Sequence, residues 1–181
     1  MITTLRGLSL FILVIISFSA KAPALASDPA EMAGDALAVA LPAAAAGMTA
    51  YFKDWTGTFE LGESLLLNGA VTLGLKYSVL ERRPNGKDNY SFPSSHTSFS
   101  CASAEFMWKR YGWNYGVPMY ALAAFVGYSR IESKNHYFRD VAAGAAIGAV
   151  SGFIFTKPYH GIKVSATACS GRYGLQCTGV F

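Results

Sequence analysis

The stretch Ser129-Arg130-Ile131-Glu132-Ser133-Lys134-Asn135-His136-Tyr137-Phe138-Arg139-Asp140 separates two apolar runs. Residues 111–129 carry no formal charge over 19 positions, and residues 141–156 carry none over 16. Runs of this length read as helices, and the charged stretch as the turn that joins them. The need to keep a turn in water accounts for Glu132, Lys134 and Arg139. It does not account for His136 and Asp140, four residues apart at the mouth of the second run. On a helix that spacing puts both on one face. A carboxylate so placed can hold one ring nitrogen of the imidazole and leave the other for chemistry. Structural ion pairs show the same spacing, so the pair by itself leaves both readings open.

Composition narrows the class. The chain has 181 residues, enough for one domain, and is 52% hydrophobic and 14% charged. Ordinary soluble domains are about 25% charged. The formal charge is +4, but the cations are scattered rather than gathered on a stripe, which gives nucleic-acid binding no support. Residues 1–26 have the pattern of a secretory signal: Arg6 at the start, an apolar stretch over residues 8–18, and a small-x-small site at Ala24-Leu25-Ala26. An uncleaved anchor has a similar pattern, and either one exports the chain.

Further along, residues 36–52 form an Ala-rich uncharged run that Pro42 starts or kinks. Residues 53–57 read as a turn and residues 59–82 as a long helix. Pro84 and Asn85-Gly86 end that helix. Ser94 is a good N-cap for a helix over residues 95–111. That helix holds Thr97, Ser98, Ser100, Cys101, Ser103 and Glu105, too polar a set to face lipid all round. Two more helices follow, over residues 117–130 and 140–155. Residues 161–181 alternate in polarity around Ser170-Gly171, the pattern of a short hairpin. Cys169 and Cys177 lie there, and an oxidising compartment would let them pair. The expected fold is therefore all-α: a bundle of about five core helices after a signal peptide (1–26), a helical domain (27–160), and a C-terminal β-like hairpin or extended tail (161–181).

Several residues remain that helix packing does not explain: Lys76, Arg83, Ser94, Ser95, His96, Arg130, His136 and Asp140. They fall near helix ends, and in an alternating bundle those ends meet on one side. Three cations and a helix amino terminus suit an oxyanion. Two imidazoles suit attack on phosphorus and protonation of a leaving group.

In this respect the chain resembles the type 2 phosphatidic acid phosphatases, a superfamily that includes bacterial acid phosphatases and vanadium haloperoxidases. The first part of that pattern, Lys, six residues, Arg-Pro, is matched by Lys76 and Arg83-Pro84. The second, Pro-Ser-Gly-His, is met as Pro93-Ser94-Ser95-His96, with Ser95 where Gly is usual. The third, Ser-Arg, five residues, His, three residues, Asp, is matched by Ser129-Arg130, His136 and Asp140.

The resemblance implies roles. His136 is the nucleophile that becomes phosphohistidine, Asp140 orients it, and His96 is the general acid and then the base. Lys76, Arg83 and Arg130 hold phosphoryl oxygens, with donors from Ser94 and the residue 95 amide. No metal or other cofactor is implied, since Asp140 is the one carboxylate of the set and hard cations need more oxygen ligands. The substrate is expected to be a phosphomonoester, a lipid phosphate or lipid diphosphate given the apolar helices. The place is the inner membrane with a periplasmic-facing site, or else the soluble periplasm. A soluble broad-specificity acid phosphatase is the alternative, and a non-enzymatic membrane packing protein with a degenerate site a remote one. Oligomeric state is left open.

Overall fold

The structure is a computed structural model. It describes residues 28–159 and, as backbone alone, the strand residues 162–169 and 172–179. Residues 1–26, where a signal is expected, and His160 lie outside the described residues.

Five helices alternate in direction. Helix α1 is Pro29–Tyr51, α2 Trp55–Val79, α3 Ser95–Tyr111, α4 Trp113–Glu132 and α5 Phe138–Phe155. Strands β1 (Ile162–Cys169) and β2 (Arg172–Gly179) then pair antiparallel, from Ile162 opposite Gly179 to Cys169 opposite Arg172. In that register Cys177 stands opposite Val164, so the two cysteines of the hairpin are not cross-strand neighbours.

The helices are longer than their sequence signals. Helix α1 begins at Pro29 because Asp28 caps it, its carboxylate accepting from Ala30 N at 3.0 Å, and it runs through Pro42. Helix α2 begins at Trp55 rather than Phe59. Asp54 accepts from the Gly57 amide at 2.9 Å, so the Asp-Trp-Thr-Gly segment is a capped helix start and not a turn. At its other end α2 stops at Val79, before Pro84 can act, because Leu80 turns left-handed (φ 49°) and returns its N–H to Lys76. Helix α4 starts at Trp113 and carries Pro118 inside it.

Helix α3 is the axis of the bundle and packs on all four other helices. Its inner residues Ala102, Ala104, Phe106 and Met107 join Leu41 of α1, Leu61 and Leu65 of α2, and Ala123 and Val126 of α4 in one core. Polar side chains are buried beside them and bond to one another: Asn68 Nδ2 donates to Ser98 Oγ at 3.3 Å, and Thr72 Oγ1 lies 3.2 Å from the same atom. The outer surface is more apolar. Phe59, Leu66 and Leu73 of α2, Val117, Leu122 and Phe125 of α4, and Val150, Phe153 and Ile154 of α5 are exposed. By length and composition α1 and α5 are apolar enough to cross a membrane.

Small residues set the tightest seam. Gly144, Gly148 and Gly152 recur every four residues on α5 and lie against the α3 backbone at Ser94, Ser98 and Ala102. A Cβ at Gly148 would overlap the Ser98 carbonyl oxygen. Close backbone approach of this kind is what small-xxx-small spacing permits. It fixes the amino termini of α3 and α5 side by side, and both carry site residues.

The far end of the bundle is closed differently. Arg110 grips Asp54 with two nitrogens, Nε at 2.7 Å and Nη2 at 2.6 Å, and reaches Glu60 and the Lys157 carbonyl with Nη1. Tyr111 adds its hydroxyl to Asp54 at 2.9 Å. This network ties the α1–α2 turn to the end of α3 and to the chain leaving α5.

Candidate active site

The alternation of the five described helices puts five chain features at one end: the start of α1, the end of α2 with the segment after it, the start of α3, the end of α4 and the start of α5. Two groups of side chains form there.

The first group surrounds His136. His136 is 3% exposed and sits in the turn between α4 and α5, its backbone N–H donating to the Arg130 carbonyl at 3.1 Å. Nδ1 lies 3.6 Å from Asp140 Oδ2, too long for a hydrogen bond. That oxygen is engaged by the Ser91 hydroxyl at 2.5 Å and the Tyr137 amide at 2.9 Å. Asp140 is thus both the capping carboxylate of α5 and the carboxylate that faces His136. Burial pushes the His136 imidazole down from 6.5 to about 4. The Asp140 carboxylate opposes that shift, and the charges of Arg83 and Lys76 reinforce it. His136 is therefore neutral, with a lone pair to offer, across the ordinary pH range.

Arg83 and Lys76 stand beside this group. Arg83 Nε donates to Asp88 Oδ1 at 2.7 Å. Burial would raise the Asp88 carboxyl, but the Tyr90 amide and the Arg83 guanidinium bring it below the ordinary range. Lys76 Nζ donates to the carbonyls of Tyr90 at 2.7 Å and Pro93 at 3.0 Å. Lys76 does not reach out to an interface; it is drawn over the segment that leads into α3. Beside it, Arg139 of the turn pairs with Glu81.

The second group surrounds His96, at the second position of α3. His96 Nε2 is 3.1 Å from Asp35 Oδ1, and Arg130 Nη1 donates to the same oxygen at 2.5 Å. Arg130 is 2% exposed, with Nη2 on the Glu31 carbonyl at 2.8 Å and Nε on Ser129 Oγ at 3.2 Å. Backbone joins the two groups: Ser94 N donates to the Asp140 carbonyl at 3.0 Å, and His136 N to Arg130.

All eight residues singled out in the sequence thus lie at one end of the bundle. Ser94 takes the N-cap position expected of it. Its hydroxyl is buried in the cap of α3, 3.0 Å from Thr97 Oγ1 and 3.5 Å from Thr97 N, so it completes the helix start instead of reaching outward. Ser95 follows as the first residue of α3. Three further residues were not singled out: Ser91, Asp88 and Asp35. Asp35 is a second carboxylate in a set that had held Asp140 alone. No local pattern marks it, because an acidic residue early in a helix is ordinary.

Chemically, the end of the bundle offers a neutral buried imidazole facing a carboxylate, a second imidazole, three cations and a helix amino terminus. Among known proteins, the chain is 38% identical over 107 residues to a lipid A 1-phosphatase of Porphyromonas gingivalis, a match covering 55% of this chain and 23% of that protein. The chain thus spans about a quarter of that relative's length. It is 28% identical over 140 residues to a lipid A 4′-phosphatase of Helicobacter pylori, covering 71% of this chain and 70% of that protein. The fold is similar to the crystal structure of Aquifex aeolicus LpxE, with a TM-score of 0.53 and 22% identity over 81% of this chain and 92% of that one. It is similar also to a transmembrane PAP2-type phosphatidylglycerolphosphate phosphatase of Bacillus subtilis, with a TM-score of 0.50 and 21% identity over 82% of this chain and 93% of that one. The PAP2 superfamily sequence profile matches residues 57–161, from the first turn of α2 past the end of α5. That span holds every site residue except those of α1 and is more than half the chain, so the protein belongs to the PAP2 superfamily.

Proposed function

We propose that the protein is a phosphatase of membrane phospholipid-type monoesters that works through a phosphohistidine on His136. The observation that carries this is the buried, neutral His136 facing Asp140 with Arg83 and Lys76 beside it. Nδ1 is turned toward Asp140, so Nε2 is the attacking atom. As the Nε2–P bond forms, the bond from phosphorus to the ester oxygen breaks, and His96 gives that oxygen a proton. Lys76, Arg83 and Arg130 neutralise the charge spread over the phosphoryl oxygens. Asp140 supports the positive ring that results. Water then attacks phosphorus with His96 as base, and inorganic phosphate leaves.

A lipid substrate fits the exposed apolar flanks of α2, α4 and α5 and the two relatives named as lipid A phosphatases. An interior with bonded Asn, Ser and Thr under an apolar outer surface is the arrangement of helices packed within a bilayer. Helix α1 starts at the site end, so an amino terminus delivered to the periplasm puts the site on that face.

The test is to give the detergent-solubilised chain a 32P-labelled lipid phosphomonoester, quench in alkali and map the label. Label on His136 is expected. In His136→Ala, label and phosphate release should both vanish while the thermal unfolding midpoint stays within a few degrees. Continued release by that variant overturns the mechanism. Equal turnover of soluble and lipid monoesters, with the protein washed from membranes by carbonate, would instead make it a soluble broad-specificity phosphatase.

A further inference from the structure

Helix α1 precedes the region that the superfamily profile matches, yet it enters the site at three points. Asp35 Oδ1 meets both His96 Nε2 and Arg130 Nη1. The Glu31 carbonyl accepts from Arg130 Nη2. The Glu31 carboxylate accepts from Asn135 Nδ2 at 2.7 Å, and Asn135 Oδ1 accepts in turn from Asn85 Nδ2 at 2.8 Å. Gly34 permits the approach, since a Cβ there would meet the side chains of Ser129 and Arg130. The helix is therefore fitted to the turn between α4 and α5 at several points, and a single oxygen of Asp35 is shared between an imidazole and a guanidinium.

A carboxylate in contact with a histidine that must carry and return a proton does two things. It holds the ring plane, and it fixes which ring nitrogen carries the proton. The Arg130 guanidinium beside it keeps the carboxylate ionised and in place. We propose that Asp35 is a positioning residue for the reaction, orienting His96 to protonate the departing oxygen and setting Arg130 in the same frame. The proposal rests on the phosphatase reading above and adds to it a residue of α1. No new bond is made or broken: the proton still passes from His96 to the ester oxygen and returns to His96 from water.

Leaving groups separate this role from mere support. p-Nitrophenolate leaves without a proton, whereas an alkoxide must be protonated. For the full chain in detergent, kcat/KM reports the steps up to phosphohistidine formation. Asp35→Asn keeps the shape and an acceptor oxygen, and loses the charge. It should lower kcat/KM for hexyl phosphate by about 30-fold, a fraction of what a general acid supplies, and for p-nitrophenyl phosphate by about threefold or less. Asp35→Ala should widen the gap. The ring-nitrogen signals of 15N-histidine-labelled protein, assigned with His96→Ala, should show Nε2–H on His96 in the parent and a mixture of tautomers in Asp35→Ala.

Equal losses on both substrates, with unchanged ring-nitrogen signals, would reduce Asp35 to structural support. Tighter inhibition by inorganic phosphate with kcat/KM preserved would make it a carboxylate that only occupies the place of a phosphate; either result overturns the proposal. A parent chain inactive on both monoesters would sink the phosphatase reading instead, and the nitrogen signals would still decide whether Asp35 holds His96.

Discussion

Asp140 faces His136 across 3.6 Å while the same carboxylate oxygen is held at 2.5 Å by Ser91. The carboxylate of the pair is therefore positioned by a serine four residues before α3 begins, not by the histidine it faces. Hydrogen bonds at such sites are often long before substrate arrives and tighten afterwards. Asp140 is fixed first, by Ser91 and the Tyr137 amide, and waits for the ring to become charged.

Ser91→Ala should consequently lower both stability and rate. A hydrogen bond to a buried charged group contributes about 1.5–3 kcal/mol, which urea unfolding would measure. The rate on a phosphomonoester should fall by about tenfold as the carboxylate loses its aim. A variant with parental stability and parental rate would show that the Tyr137 amide holds Asp140 unaided.

The depressed His136 sets the pH dependence. In the proposed mechanism the ring attacks in its neutral form, so the acid limb of kcat/KM should lie near pH 4 rather than near 6.5. Lys76→Met removes a positive neighbour and should move that limb upward, even though the rate falls. Stability follows the same group. The unfolded histidine takes up its proton near 6.5 and the folded one near 4. The contribution is thus full above pH 6.5 and lost as pH falls to about 4. Over that window it amounts to about 3 kcal/mol, readable from unfolding midpoints across a pH series.

The glycine seam predicts a contrast between two identical changes. Gly148→Ala drives a methyl into the Ser98 carbonyl, and overpacking of this kind costs about 1–3 kcal/mol. Gly47→Ala on α1 meets nothing within 4 Å and should stabilise by about 0.5–1 kcal/mol. Thermal unfolding of the two variants should shift in opposite directions. Gly148→Ala should also reduce kcat, because the seam aligns His96 with Asp140.

Arg110→Met tests the opposite end. It leaves Asp54 and Glu60 buried without their cation. Breaking a buried pair in this way costs about 3–5 kcal/mol. The folded fraction should keep its kcat, since no atom of that network belongs to the site. A large fall in kcat at a temperature where the variant is folded would show that the two ends are coupled.

Much of this was legible in the chain because the chemistry lies in short-range patterns. Lys76 with Arg83-Pro84, the segment from Pro93 to His96, and the turn from Ser129 to Asp140 each match one part of the superfamily's pattern, and Pro84 and Ser94 mark the helix ends beside them. The all-α class followed from apolar runs broken by Pro, Gly and charge. What escaped depends on distant contacts. Asp35 meets Arg130 across 95 positions of sequence and Ser91 meets Asp140 across 49. Nothing near either residue distinguishes it from an ordinary helix carboxylate or loop hydroxyl. Helix boundaries escaped for a local reason. Gly57 looks like a turn glycine but is helical, and its missing Cβ leaves room for the Asp54 carboxylate that caps the helix.

The odd count of helices divides the chain into parts with different tolerance for change. Pro29 begins at the end that holds His96 and His136, and Phe155 ends at the opposite pole, where the Tyr159 ring lies tilted against Phe52 and Tyr111. An alteration beyond α5 can affect turnover only by loosening the bundle, and heating or denaturant would reveal it. A substitution of Asp35 in the first two turns of α1 reaches His96 and Arg130 directly, and is expected to change which esters are cleaved more than it moves the melting curve.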